Sequence, residues 1–330
     1  MITELSAGFL PLTDSAILIA ARELGFAEAE GIALNLVRET SWANVRDKLA
    51  VGQFEISHAL APMPIAANLG LTPFDTRLIA PMALGLGGNA ITVSNSLLAR
   101  MQDGSGFSGL DATAAGRALA EVVDTGKSRG AKPLQFSVVH PFSGHNFELR
   151  YWLSASGIIP DTDIEVVILP PSLMADALAS GQIDGYCVGE PWNSVGVARA
   201  AGRIVTTKSS IWASSPEKVL AVREDWAGDN ADTLHALLRA LYRSAEWCGQ
   251  PIWISRPSSF CRRWTAPSLE RQFPAEGVIS SSRMPAPRPF PGRATPCGSI
   301  RKWCAAVTSA IPPRTPKQRA RATGRTSTAR

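Results

Sequence analysis

Over the first 250 residues, short apolar runs alternate with amphipathic stretches. Residues 6–10 read as a first strand. Thr13, Asp14 and Ser15 then offer polar start signals to an apolar-faced helix over 16–24, stopped by Gly25. Residues 33–38 read as a second strand, and Ser41 caps a predicted helix over 42–49. Further strands are predicted over 54–59, 77–80 and 90–94, a helix over 111–126 and a strand over 134–140. Ser143 or Gly144 opens a helix over 146–156 that ends before Gly157. Residues 164–169 read as a strand, 173–180 as a helix and 186–188 as a strand. Glu190 and Pro191 start the next helix, with proline near the first turn where its missing N–H costs little. A strand over 219–222 and a helix over 229–248 follow, with Leu234, Leu237, Leu238, Leu241 and Tyr242 on one helical face. This alternation predicts an α/β fold with mainly parallel sheets, long enough for two lobes.

After Gln250 the pattern stops. The run Pro285-Ala286-Pro287-Arg288-Pro289-Phe290-Pro291 suits neither an interior strand nor a helix, and the last dozen residues have no apolar period. Charge divides at the same place. Residues 1–250 hold 18 Lys+Arg and 26 Asp+Glu, a net −8, whereas residues 251–330 hold 15 Lys+Arg and 2 Asp+Glu, a net +13. The formal net charge of +5 is therefore the sum of an acidic body and a basic, Pro/Arg-rich tail. A nucleic-acid partner would rest on that tail's composition alone, and direct nucleic-acid binding is not expected.

The start of the chain shows no basic region, long apolar run or small-residue cleavage site, which predicts a cytoplasmic protein. A mis-assigned start codon would make it periplasmic or membrane-associated instead. The five cysteines form no C-x-x-C pair and have no histidine at metal-ligand spacing, so no metal or cofactor is expected. P-loops, nucleophile elbows, G-x-G-x-x-G and H-E-x-x-H are missing, and the four histidines are dispersed. The chain reads as a binding protein rather than an enzyme, with no catalytic residues.

Seven ordered motifs carry a resemblance. They are Gly8-Phe9-Leu10-Pro11-Leu12-Thr13-Asp14, Ser41-Trp42-Ala43-Asn44-Val45-Arg46-Asp47-Lys48-Leu49, His58-Ala59-Leu60-Ala61-Pro62-Met63-Pro64 and Gly88-Asn89-Ala90-Ile91-Thr92-Val93-Ser94. The others are His145-Asn146-Phe147-Glu148-Leu149-Arg150-Tyr151-Trp152-Leu153, Cys187-Val188-Gly189-Glu190-Pro191-Trp192-Asn193 and Pro216-Glu217-Lys218. Together they resemble the nitrate-binding branch of the type II periplasmic-binding-protein superfamily. That branch includes solute-binding proteins of nitrate, nitrite and bicarbonate ABC transporters, and cytoplasmic nitrate/nitrite sensors that restrain an RNA-binding antiterminator. The resemblance implies a two-lobed fold with a ligand cleft between lobes, the first lobe from residues 1–93 and 206–250 and the second from 94–205. It stops near residue 251, so residues 251–330 are expected to be a disordered or frameshifted tail.

The resemblance also assigns the ligand residues: Trp42, Asn89, His145, Gly189 and Lys218. It implies nitrate or nitrite as ligand. The role implied first is a cytoplasmic sensor with an antiterminator partner; the alternative is the substrate-binding component of a nitrate/nitrite or bicarbonate ABC transporter, with permease and ATPase partners. The residue types suit the chemistry. A buried anion needs a charge partner and several donors. Lys218 offers an ammonium, Asn89 an amide, Trp42 an indole N–H and a flat wall, and Gly189 a close backbone approach. His145 offers the start of a helix and an imidazole that an anion would favour in its protonated form. Nitrate has four heavy atoms, so ordinary contacts at about 1.5 kcal/mol each give about −6 kcal/mol. Micromolar binding needs roughly −8 kcal/mol, which favours full enclosure between two lobes. Without the resemblance, Trp42 reads as core packing, Lys218 as a solvated charge, His145 as a helix cap and Gly189 as a turn glycine. Asp14 and Glu190 read as helix N-terminal residues rather than ligand contacts.

Overall fold

A computed structural model describes residues 2–249 of the chain, and the tail read over 251–330 lies outside the described residues. Four strands open the first sheet: β1 (Thr3–Phe9), β2 (Ile32–Arg38), β3 (Ile56–Leu60) and β4 (Leu78–Gly85). The second sheet holds β5 (Asn89–Ser94), β6 (Leu134–Val138), β7 (Ile164–Ile168), β8 (Gly185–Gly189) and β9 (Gly202–Thr207). The chain then returns, and β10 (Lys218–Arg223) completes the first sheet. Helices pack on both sheets, giving the expected two-lobed α/β fold.

The sheets share one plan. Their orders are β2-β1-β3-β10-β4 and β7-β6-β8-β5-β9. In each, one interior strand arrives from the other lobe and runs against its neighbours: β10 is antiparallel to β3 and β4, and β5 is antiparallel to β8 and β9. The remaining pairings are parallel. The sheets are thus mixed, not mainly parallel. Apolar runs report burial, which β3, β5, β8 and β10 share, but not strand direction. Asn89 already belongs to the second sheet, so the first crossing between lobes precedes it rather than following residue 93. The second crossing occupies the segment between Thr207 and Lys218.

Two caps place side chains that matter below. The Ser41 hydroxyl accepts from Asn44 N at 3.2 Å and starts the helix Trp42–Ala50. The Ser143 hydroxyl accepts from Asn146 N at 3.0 Å and starts the helix Gly144–Ala155. Trp42 therefore heads one helix and His145 sits in the first turn of the other. The helices Pro62–Asn68 and Asn95–Ser105 and strand β9 were not anticipated from the pattern. Pro62 and Pro64 look like breakers but occupy a first turn, where they are tolerated.

The last helix, Ala231–Cys248, buries Leu234, Leu237 and Leu241 against the first lobe. It also packs on the helix Ala16–Glu23, where the Ser244 hydroxyl donates to Ile17 O at 2.6 Å. Tyr242 is 61% exposed, so the apolar stripe is narrower than the sequence face suggested. Among the described residues no helix is long and apolar enough to cross a membrane.

Truncating Leu241 to alanine removes a fully buried side chain and is expected to lower the unfolding free energy by about 2–5 kcal/mol. Tyr242→Ala should change it by only about 0.5 kcal/mol. Urea unfolding of both variants checks this; equal losses would contradict the described packing.

Candidate functional site

The two crossings bring strand ends from both sheets to one place. Lys218 opens β10 and pairs with Gly85; Asn89 opens β5 and pairs with Gly189. Backbone bonds tie the region together: Glu217 N to Gly85 O at 2.8 Å, Glu190 N to Gly88 O at 2.9 Å, and Thr13 N to Glu190 O at 3.0 Å. The last of these joins the first lobe to the second. Apolar packing crosses the same boundary, with Leu10, Leu12 and Trp42 in one cluster with Val139, Tyr186 and Val188.

Lys218 is fully buried, which excludes a solvated loop charge. Its Nζ lies 2.9 Å from Glu217 Oε1 and 3.0 Å from Asp14 Oδ2. The ammonium is therefore shared by two carboxylates. Burial alone would push its pKa down, but Asp14 and Glu217 overturn this and hold it above the ordinary lysine range. Burial would likewise raise the Asp14 carboxyl, yet Lys218 and then His58 hold it well below the usual carboxylate range. Asp14 lies in the single turn Thr13–Ser15, as its reading as a helix-start residue implied, but its carboxylate faces Lys218 and, at 3.1 Å, His58 Nε2. Glu190 Oε2 accepts from Ser194 N at 3.2 Å, a helix-start contact.

Trp42 is 1% exposed. Its ring centroid lies 5.5 Å from Lys218 Nζ and 5.5 Å from the His58 ring centroid. The indole thus adds a cation–π contact to the lysine. His145 is fully buried, with Nδ1 3.6 Å from Glu217 Oε1, beyond a hydrogen bond. Burial lowers its pKa to about 4, partly opposed by Glu217, so burial leaves the imidazole neutral at pH 7. Asn89 donates from Nδ2 to Glu148 Oε2 at 2.9 Å.

Two glycines border the cluster, and of these Gly144 is required for space whereas Gly189 has room for a Cβ. A Cβ on Gly189 would stand 3.4 Å from Asn89 Oδ1, 3.6 Å from His145 Nε2 and 3.6 Å from Leu12 Cδ2. A Cβ on Gly144 would collide with Glu217 Oε2. Contacts therefore link all five residues assigned from the sequence, Trp42 through Lys218 and Glu217 to His145, and thence past Gly189 to Asn89. The sequence reading left out Asp14, His58, Glu148 and Glu217 as site residues. Glu217 and His58 stand inside quoted motifs, and Glu148 is one helical turn beyond His145, so position alone was available as a signal.

Ten buried side-chain polar atoms among the described residues lack a conventional hydrogen bond, and eight belong to Asp14, Trp42, His58, Asn89, His145 and Glu217; two of the eight, Asp14 Oδ1 and His58 Nε2, face each other at 3.1 Å, which leaves six without a partner. Each such atom costs about 1–3 kcal/mol when left unsatisfied. Their concentration here makes this cluster the candidate site for a polar ligand. Trp42 Nε1 and both His145 ring nitrogens are among these partnerless atoms, beside the buried Lys218 ammonium. A second buried lysine, Lys208, donates to Leu86 O and, at 3.2 Å, to Ser215 O, so it clasps the two crossings together. Another concavity, lined by Gly52, Arg77, Arg223 and Glu224, lies at the opposite end of β10. Its arginines are engaged, Arg77 by Glu224 at 2.8 Å and Arg223 by Asp225 at 3.4 Å, so the buried cluster is the stronger candidate. Among the described residues no group of three or more His, Cys, Asp or Glu is arranged to hold a metal ion.

Known proteins match this chain over the same region. The sequence model of the NMT1-like family matches residues 2–254. The nitrate import ATP-binding protein NrtC of Synechocystis is 38% identical over 74% of this chain and 35% of that protein. The nitrate/nitrite binding protein NrtA of Synechococcus elongatus is 34% identical over 74% of this chain and 54% of that protein. The crystal structure of the periplasmic nitrate-binding protein NrtA from Synechocystis superposes with a TM-score of 0.72 at 27% identity, covering 80% of this chain and 67% of that one. The chain thus spans about a third to a half of the length of these curated relatives. The resemblance to the nitrate-binding branch read from the motifs is borne out, as is the two-lobed fold.

Replacing Lys218 by methionine leaves Asp14 and Glu217 buried and unpaired, an expected loss of about 3–5 kcal/mol at pH 8. Unpaired buried carboxylates take up protons readily, so the deficit shrinks as pH falls toward 5. The parent protein moves the other way at lower pH. Asp14, with its depressed pKa, contributes stability above about pH 4 that is lost as pH falls further. Unfolding curves of both proteins at pH 8 and 5 check this; an equal deficit at both values would contradict the pairing.

Proposed function

The chain belongs to the NMT1-like family, and from that premise we propose that it binds nitrate or nitrite in the cleft between its lobes. The observation that carries the reading is Lys218, fully buried under the Trp42 ring and beside buried donors that have no protein partner. Nitrate is planar, singly charged and accepts hydrogen bonds on every oxygen. The indole ring supplies a flat wall and an N–H, the lysine a charge, and Gly189 an approach free of side chain. The NrtA and NrtC relatives, named for nitrate or nitrite, support the same ligand. The proposal takes only the ligand from NrtC, of which the chain matches 35%.

Charge constrains how the anion is held. Lys218 with Asp14 and Glu217 carries a net −1, so an added anion needs a further positive charge. His145 is the group that can provide it by taking up a proton. Its pKa of about 4 rises when an anion lies beside the ring, so nitrate affinity increases as pH falls below 7. We favour the role of anion-binding component in an import assembly, with permease and ATPase partners that recognise the lobes closed over the ligand, and hence a location outside the cytoplasm. The cytoplasmic sensor reading makes a different demand: a purified antiterminator should bind the chain without nitrate and leave when nitrate is added. An unchanged complex at saturating nitrate removes it.

Calorimetry of the full chain with nitrate, nitrite and bicarbonate tests the proposal. Trp42→Phe keeps the ring but loses the N–H and should weaken nitrate binding by roughly 5- to 30-fold, corresponding to about 1–2 kcal/mol. His145→Gln should abolish the gain in affinity between pH 7 and pH 5. Unchanged affinity in the first variant, or an unchanged gain in the second, rejects that residue as a ligand.

A further inference from the structure

Glu148 is the buried acid of the cluster that the ligand chemistry above does not use. It is 3% exposed and lies on the helix Gly144–Ala155, one turn beyond His145. Its Oε2 accepts from Asn89 Nδ2 at 2.9 Å, and this bond decides how the Asn89 amide is turned. With Nδ2 held toward Glu148, the amide oxygen Oδ1 is left buried, without a partner, 3.4 Å from the position of a Cβ on Gly189 and so toward the ligand space. An oxygen there repels an anion. The expected donor of the site is thus turned away by its own neighbour.

The amide is nearly symmetric in shape, so the opposite orientation fits the same space and presents Nδ2 to the cleft. It brings Asn89 Oδ1 against a Glu148 oxygen, and two oxygens at that distance need a proton between them. We propose that Glu148 is a positioning residue: when its carboxyl carries a proton it donates to Asn89 Oδ1 and turns the amide N–H toward the bound anion, and when ionised it turns the amide oxygen there instead. The inference rests on the anion-site reading and adds to it a group that never touches the ligand.

The surroundings favour a carboxyl that titrates within reach of neutral pH. Burial, and after it the charge of Glu217, push the Glu148 pKa up to about 8, against the Asn89 bond and the more distant Lys208 and Lys218. From β8, Cys187 also faces it, with a thiol that burial keeps protonated well above the ordinary range. His145, one turn away on the same helix, changes charge in the acid range, so it and Glu148 are separated by pH. Binding an acceptor-only anion requires the protonated carboxyl and raises its pKa. Affinity is therefore constant below about pH 8 as far as Glu148 is concerned, and falls by up to about tenfold per pH unit above it.

The test is calorimetry of the full chain with sodium nitrate between pH 7 and pH 9.5. The parent protein should lose at least about tenfold in affinity between pH 8 and 9.5, and at pH 9 should take up close to one proton per nitrate, read from buffers of different ionisation enthalpy. Glu148→Gln, whose amide donates to Asn89 Oδ1 at every pH, should lose less than about threefold and bind nitrate more tightly than the parent at pH 9.5. A parent profile that is flat to pH 9.5 with no proton uptake overturns the role of Glu148 alone, as does a Glu148→Gln profile as steep as the parent's. A parent that binds nitrate at no pH overturns the anion site and this role with it.

Discussion

A lysine ammonium with no access to water must be neutralised or lose its proton, and the site is organised around the first solution. Desolvating such a charge costs several kcal/mol. Asp14 from the first turn of the chain and Glu217 from the second crossing repay that cost at 3.0 and 2.9 Å, and the Trp42 ring adds its face. Segments far apart in sequence are thereby pinned to one atom, Lys218 Nζ. The balance slightly overshoots, because two carboxylates face one lysine. That excess of negative charge is why the proposed anion site calls on His145 and Glu148, the two groups at the edge of the cluster that can carry a proton.

The fold makes this convergence possible. Each sheet accepts one strand from the other lobe, and those strands, β5 and β10, begin at Asn89 and Lys218. Strand ends at a reversal of sheet order leave a crevice that side chains from both lobes can reach. Lys208 holds the two crossings to each other through Leu86 O and Ser215 O, so the lobes are joined at the level of the site and not through remote loops. The apolar cluster running from Leu12 and Trp42 to Tyr186 and Val188 seals the same boundary against water, which strengthens every electrostatic contact inside.

Much of this was legible in the sequence. Ser41 and Ser143 announced two helix starts, and the structure shows both hydroxyls capping as expected. Contacts connect Trp42, Asn89, His145, Gly189 and Lys218, although they come from five elements or their junctions. What escaped was what periodicity does not encode. An apolar run says that β5 and β10 are buried, not that they run against their neighbours. Tyr242 continues the helical stripe yet faces solvent, because that stripe outlasts the surface it packs on. Asp14 was placed correctly as a turn residue, but its contact with Lys218 depends on a strand some two hundred residues away. Glu148 sits among Phe147, Leu149, Trp152 and Leu153, and a lone acid on an apolar helix face is the one local sign that the sequence offered of a buried carboxyl.

The claim that a planar anion is held against Trp42 is open to direct observation through the indole N–H. In nitrogen-15-labelled full-length protein, the Trp42 side-chain resonance is identified as the indole signal lost in Trp42→Phe. The account predicts that sodium nitrate moves this signal saturably toward the position of a hydrogen-bonded N–H, while sodium chloride at the same ionic strength does not. An indole signal that stays in place at tens of millimolar nitrate would contradict it.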